Sequence, residues 1–181
     1  MNPYIKINDR KIGYDFPPLV IAEVGINHEG DFDKAICLVD AASSAGSEIV
    51  KFQTHITDKE MIKTDMKPGN ISDEILWDII QRCELTYEEE VKIQKHCNQK
   101  NILYLSTPFS REASDRLENM EVPAFKIGSG ECNNLPLINH IASKGKPIIL
   151  STGMNDISSV SRSVKIIENH KCPLAILHCT S

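Results

Sequence analysis

Six short apolar segments, each running into a polar residue at its C-terminal end, constrain this chain more than any other feature. LVIA runs into Glu23, EIV into Lys51 and Gln53, ILYLS into Thr107, AF into Lys126 and Ser129, PIIL into Ser151 and Thr152, and LAIL into His178 and Thr180. Continuous apolar runs of this length are what parallel strands look like when both faces are covered. Between them lie stretches of helical period, and strands alternating with helices imply a parallel sheet with right-handed crossovers.

The helical stretches carry their own punctuation. FDKAICLVDAASSAG spaces Phe32, Ile36, Val39 and Ala42 on one face, with Gly46 where a C-cap is favoured. Ser72 or Asp73 is expected to cap EILWDIIQRC, after a long irregular stretch, HITDKEMIKTDMKPGN. Thr86 with Glu89 three residues on is a capping box that opens the next helix. Further helices are expected near 110 to 119, in LPLINHIASKG and in SSVSRSVKIIENH. Ahead of the first strand, YIKI and KIGY flank Asn8-Asp9, which predicts a β-hairpin at residues 4 to 14 that ends at Pro17-Pro18.

An open doubly wound sheet and a closed barrel both fit this order. GINHEG after the first strand lacks the G-x-G-x-x-G spacing of a dinucleotide fold. Polar residues after every strand, rather than at one crevice, favour a (β/α) TIM-type barrel, whose chemistry sits on the loops at the C-terminal ends of its strands. A full barrel has eight strands and typically about 250 residues. This chain has 181 residues and six such strands, so the expected fold is an incomplete barrel, one part of a larger protein or of an interrupted reading frame. An arc of six strands leaves an open edge and is an aggregation hazard. The expected division is a hairpin cap over 1 to 16 and a partial barrel over 17 to 181.

Composition narrows the partners. With 41% hydrophobic residues the chain can bury one core, and its net charge of −5, from 20 basic and 25 acidic residues well mixed, argues against nucleic acid or an anionic membrane. Local lysines can still bind a small anion. The six cysteines lie inside apolar patterns with no signal peptide before them and no C-x-x-C pair, so reduced, mostly buried thiols and a soluble, cytoplasmic protein are expected.

Lys51 and Lys126 are the most informative rim residues. A lysine in an apolar strand snorkels to the rim, pairs with a carboxylate or faces an anion. For one lysine alone the ion pair has equal weight; two on different strands tip the balance toward an anionic ligand. A rival reading makes one of them a Schiff-base lysine, which requires a lowered pKa. Thr107, Ser129 and Ser151 can cradle phosphate oxygens, although each taken singly reads as an N-cap. Gly128-Ser129-Gly130 and Thr152-Gly153 let a ligand approach the backbone. Glu23 can serve as acid, base or acceptor for a sugar hydroxyl, or as ion-pair partner of Lys51 or Lys126. His28 and His55, on loops beyond strands, are read as solvated or hydrogen-bonded rather than metal-bound. His178 is expected to be a packed, satisfied ring, and His96, His140 and His170 to lie on helix surfaces.

Seven blocks carry a resemblance: IAEVGINHEGD (21 to 31), VKFQTH (50 to 55), PGN (68 to 70), STPFSR (106 to 111), FKIGSGECNN (125 to 134), PIILSTGM (147 to 154) and LHCTS (177 to 181). In this order and spacing the chain resembles the N-acetylneuraminate (sialic acid) synthase family over nearly its whole length after the hairpin. Relatives that make legionaminate or pseudaminate share much of the frame. The resemblance implies condensation of phosphoenolpyruvate with N-acetylmannosamine, giving N-acetylneuraminate and phosphate. In that family C3 of phosphoenolpyruvate attacks the open-chain aldehyde, water adds at C2, and phosphate leaves with C–O cleavage. A divalent ion, manganese or magnesium, polarises the aldehyde.

Carried onto matching positions, the resemblance gives Lys51, Gln53, Thr107, Lys126, Ser129, Ser151 and Ser181 to phosphoenolpyruvate. It gives Glu23 to the sugar's reacting end, Asn70 to the sugar, and the bottom of the barrel to the hairpin. The two metal-binding histidines, the last barrel strands and an antifreeze-like domain of the family have no counterpart in this sequence. The expectations are therefore a homodimer for the intact enzyme or a complementing second chain here, and impaired activity for this chain alone. A synthase of a related nonulosonate (legionaminate or pseudaminate), a Schiff-base aldolase and a non-catalytic phosphoenolpyruvate-binding remnant are the alternatives.

Overall fold

The computed structural model describes residues 2–69 and 72–180. The chain opens with an antiparallel hairpin, β1 (Tyr4–Ile7) and β2 (Arg10–Gly13), as the turn signals predict. Six parallel strands follow: β3 (Ile21–Gly25), β4 (Ile49–Thr54), β5 (Leu103–Pro108), β6 (Phe125–Ile127), β7 (Ile148–Ser151) and β8 (Leu174–Leu177). They pair as two sheets, β3-β4-β5 and β6-β7-β8, rather than as one continuous arc. β5 and β6 lie against each other without a ladder between them. β6 has three residues, and all three pair with β7.

Side-chain alternation along these strands builds two separate cores, because neighbours on a strand point to opposite faces. Val50, Phe52, Tyr104, Phe125, Ile127, Ile148 and Leu150 point outward and pack under the helices. Ile49, Leu105, Ala124 and Ile149 point inward and meet Ile7 of the hairpin, which is fully buried among them. The hairpin therefore plugs the end of the sheets where the strands begin. Arg10 ties it there through a two-pronged contact with Glu48, at 2.6 and 3.1 Å.

Seven helices stand among the described residues, and five of them pack over the outward face. α1 (Phe32–Ser44) buries Ala35, Val39 and Ala42 and ends with Gly46 at φ +81°, a left-handed position that glycine adopts without a Cβ clash. α4 (Tyr87–Gln99) starts with the expected capping box, Thr86 and Glu89 satisfying each other's backbone, and buries Ile93 and Cys97. α5 (Arg111–Asn119), α6 (Leu135–Ala142) and α7 (Ile157–Asn169) are capped by Ser110, Asn134 and Asp156.

Several expectations are corrected. A one-turn helix, α2 (Thr57–Glu60), stands inside the stretch expected to be irregular. α3 (Leu76–Cys83) begins after Ile75 with no side-chain cap, so neither Ser72 nor Asp73 caps it. The Leu76 N–H is taken instead by the Met66 carbonyl, and the Ser72 hydroxyl accepts from the Glu74 N–H. Thr107, Ser129 and Ser151 cap no α-helix; they end or follow strands. His178 is exposed rather than packed, because among the described residues β8 pairs only with β7 and its last residues are uncovered.

All six cysteines are free; Cys83, Cys97, Cys132 and Cys172 are buried, while Cys37 is exposed. No helix among the described residues is long and apolar enough to cross a membrane.

Candidate active site

The strand register fixes which rim residues share a face. Glu23 on β3 pairs across to Lys51 on β4, and Gln53 on β4 pairs across to Thr107 on β5. Lys51 and Gln53 are two apart on one strand and so point the same way. Glu23, Lys51, Gln53, Thr107 and Lys126 line one cavity of about 390 Å³ at the C-terminal ends of the strands. The two lysines expected to meet at one mouth do so. Asn70 and Ser181 lie outside the described residues.

A bulge shapes the floor. The β3–β4 register slips between Glu23 and Gly25, and Gly25 takes φ +56°. A Cβ at Gly25 would stand 3.3 Å from Glu23 Oε1 and 3.7 Å from Gln53 Nε2, so glycine keeps this corner open.

Both lysines are 6% exposed, and their charges are balanced unequally. Lys51 Nζ sits 2.5 Å from Glu23 Oε2 and 3.5 Å from Thr107 Oγ1. Among the described residues Lys126 Nζ donates only to neutral oxygens, the Ile127 carbonyl at 2.8 Å and the Ser151 hydroxyl at 2.5 Å. Burial, and then the Lys51 ammonium, bring the Lys126 pKa down to about 8. Two ammonium groups thus share one carboxylate, and that carboxylate is more than half exposed at the rim. Such a cavity favours an anion, because an uncompensated buried charge is costly.

Ser151 joins the site through Lys126. Ser129 begins a 3₁₀ turn (Ser129–Glu131) just past β6 and is bound into the loop after β7: its hydroxyl accepts from the Gly153 N–H at 3.0 Å, and its carbonyl from Asn155 at 2.8 Å. Cys179, not singled out from sequence, lies beside the same loop, where hydrogen bonds from the Ser151 hydroxyl and then the Thr152 and Gly153 backbone lower its thiol pKa. Phe109 is a second missed residue lining the cavity. Its signal was position alone, two residues beyond Thr107 at the end of β5.

Behind the β4 and β5 rim lies a buried polar cluster. Glu90 of α4 accepts from Thr54 Oγ1 at 2.6 Å, Tyr104 Oη at 3.3 Å and Arg116 Nη1 at 3.1 Å, and Thr54 also meets Ser106 at 2.8 Å. Burial pushes the Glu90 carboxyl upward, while these partners favour its charged form. The cluster clamps the outward residues of the same two strands whose inward residues form the cavity.

His28 and His55 are both buried rather than solvated. His28 Nδ1 accepts from the Gly30 N–H at 3.1 Å. His55 bonds to Glu60 and Gln53 and stacks on Phe109. His96, His140 and His170 lie on helices or at their ends and bridge to Asp40, Asp115 and Asn139. Among the described residues no three His, Cys, Asp or Glu side chains gather into a metal-binding group. They do not fit the divalent ion that the resemblance implies.

Residues 38–181 match the NeuB family. The chain belongs to that family. An uncharacterized protein of Methanocaldococcus jannaschii is 38% identical over 98% of this chain and 50% of its own length. The N,N'-diacetyllegionaminic acid synthase of Campylobacter jejuni is 35% identical over 90% of this chain and 51% of its own length. Among solved structures, an N-acetylneuraminic acid synthetase from Leptospira borgpetersenii, in complex with citrate, superposes with a TM-score of 0.88 at 29% identity, covering 100% of this chain and 60% of that one. The NeuB-family chain thus spans about half the length of the curated relatives it matches. Its α/β architecture is that of sialic acid synthase-type proteins.

Proposed function

We propose that the cavity binds phosphoenolpyruvate, and that the chain supplies the donor-binding part of a synthase joining phosphoenolpyruvate to N-acetylmannosamine. The products are N-acetylneuraminate and phosphate. The observation that carries this reading is the pair of buried lysines facing one cavity with, among the described residues, a single half-exposed carboxylate between them. Phosphoenolpyruvate brings a phosphate and a carboxylate, which supply the missing negative charge.

In this reading Lys51, Lys126 and Thr107 hold the anionic groups, with Gln53 beside them. Ser151 orients the Lys126 ammonium, and Ser129 holds the loop after β7 against the site. Charge-assisted hydrogen bonds of this kind are short and about twice as strong as neutral ones. Glu23, at the open side of the cavity, faces the incoming aldehyde. Asn70 is assigned to the sugar and Ser181 to phosphoenolpyruvate by the family resemblance. C3 of the donor forms the new bond to the aldehyde carbon, water adds to C2, and the C2–O bond to phosphate breaks. The roles assigned to this chain rest on its own side chains.

The 35% identity to the Campylobacter jejuni protein favours a second acceptor, the sugar that leads to N,N'-diacetyllegionaminic acid. The lowered pKa of Lys126 also suits a Schiff-base lysine, and borohydride trapping with pyruvate would label it if that chemistry operated.

Calorimetric titration with phosphoenolpyruvate tests the proposal directly. The wild-type chain should bind, and Lys126→Met should weaken binding by about 10- to 100-fold, the worth of one hydrogen bond to a charged group. Equal affinity in the folded variant would refute the assignment.

A further inference from the structure

We propose that Glu60 and His55 form a buried charged pair that fixes the Gln53 side-chain amide with its NH2 group directed into the cavity. This rests on the reading of the cavity as an anion site and adds a donor to it. His55 and Glu60 act as positioning residues.

The argument begins at Glu60, the last residue of α2. Its side chain is only 4% exposed, and among the described residues both its oxygens bond to one group, His55 Nδ1, at 2.8 and 3.0 Å. A carboxylate buried this deeply needs a compensating positive charge. The imidazole is 3% exposed, and its other nitrogen, Nε2, lies 3.0 Å from Gln53 Oε1. Both ring nitrogens therefore face oxygen acceptors, and only the doubly protonated ring donates to both.

The consequence falls on Gln53. With its oxygen held by His55, its nitrogen turns toward the Gly25 corner, on the side of Glu23. A neutral ring would keep its proton on Nδ1 against Glu60 and accept at Nε2. The amide would then turn over and present its carbonyl oxygen to the ligand, where a phosphate or carboxylate would be repelled.

Two contacts hold the ring in register. Phe109 stacks on it with centroids 4.5 Å apart and planes 17° from parallel. Phe109 also lines the cavity, so His55 braces two of its walls. The helix that carries Glu60 is anchored at its first residue, where Thr57 donates from both its N–H and its hydroxyl to Glu84, at 3.0 and 2.8 Å.

The test uses the whole chain labelled with ¹⁵N in histidine. At neutral pH the His55 ring should show the imidazolium signature, two protonated nitrogens, and Glu60→Gln should convert it to a neutral tautomer. His55→Phe, which keeps the stack on Phe109, should weaken phosphoenolpyruvate binding by about tenfold. Gln53→Met should do the same, and the double variant should lose no more than either single one, as expected for groups acting as one unit. A neutral ring in the wild type, or full affinity in a folded His55→Phe, would overturn the proposal. If the wild type binds no phosphoenolpyruvate, the reading of the cavity fails, while the ring signature still decides whether the charged pair exists.

Discussion

Lys126 is buried against neutral oxygens, and its charge is costly there. Burial and the neighbouring Lys51 bring its pKa to about 8, against an ordinary 10.5. Below pH 8 the ammonium is charged and the full cost of burying it falls on the native state. Between about 8 and 10.5 the unfolded chain holds this proton and the native chain does not, so this group makes stability rise with pH across that window. Anion binding runs the opposite way, because it needs the charged form. Affinity for phosphoenolpyruvate should be near its plateau at about pH 7, where the phosphate has already lost its second proton, and fall by up to tenfold per unit above about 8, with proton uptake on binding. Calorimetry in two buffers of different ionisation enthalpy would read that uptake. Affinity unchanged from pH 7 to 9.5 would show that the Lys126 charge is not used.

At the scale of elements, what the sequence disclosed follows from how local each signal is. The hairpin, the six strands and the capping box of α4 rest on neighbours a few residues apart, and all stand where the pattern put them. α2 escaped because four residues cannot display a helical period, and its anchor, Glu84, is 27 residues away from Thr57. The start of α3 was misplaced for a similar reason: Met66, not a local side chain, takes its first N–H. Cavity residues on strands were legible because a polar residue in an apolar run is conspicuous. His55 is hydrogen-bonded, one of the two states expected of it, but its burial and its stack on Phe109, which was not singled out, depend on contacts that no local pattern displays.

The capping box gives a measurable case. Thr86 Oγ1 donates to Glu89 at 2.8 Å and accepts from the Glu89 N–H at 3.3 Å. Thr86→Ala removes both contacts at the start of a helix that buries Ile93 and Cys97. It should cost about 1 kcal/mol, read as a lower urea midpoint at unchanged slope, and Thr86→Ser should recover most of it. No change in midpoint would mean that α4 is held by its packing alone.

Across the whole molecule, cover is uneven. The inner core is closed at one end by Ile7, and β4 and β5 are buried on both faces, yet Ile176 and Leu177 at the end of β8 are 51% and 39% exposed. Beside them Ile157 at the start of α7 is 86% exposed, and a groove between α7 and β8 is lined by Val160, Val164 and Ile176. β8 pairs with β7 on one side and with no other strand among the described residues. An apolar strand with a free edge is a template for another chain, and a charge placed on it is how natural sheets block such pairing. The purified chain of residues 1–181 should therefore associate with rising concentration in the micromolar to millimolar range, where exposed edges make contact. Ile176→Lys should move that onset to higher concentration while leaving phosphoenolpyruvate affinity intact, since Ile176 lines the groove beside α7 and not the cavity. Sedimentation velocity would follow both proteins; a wild type that stays monomeric throughout would show that the exposed β8 surface does not drive association.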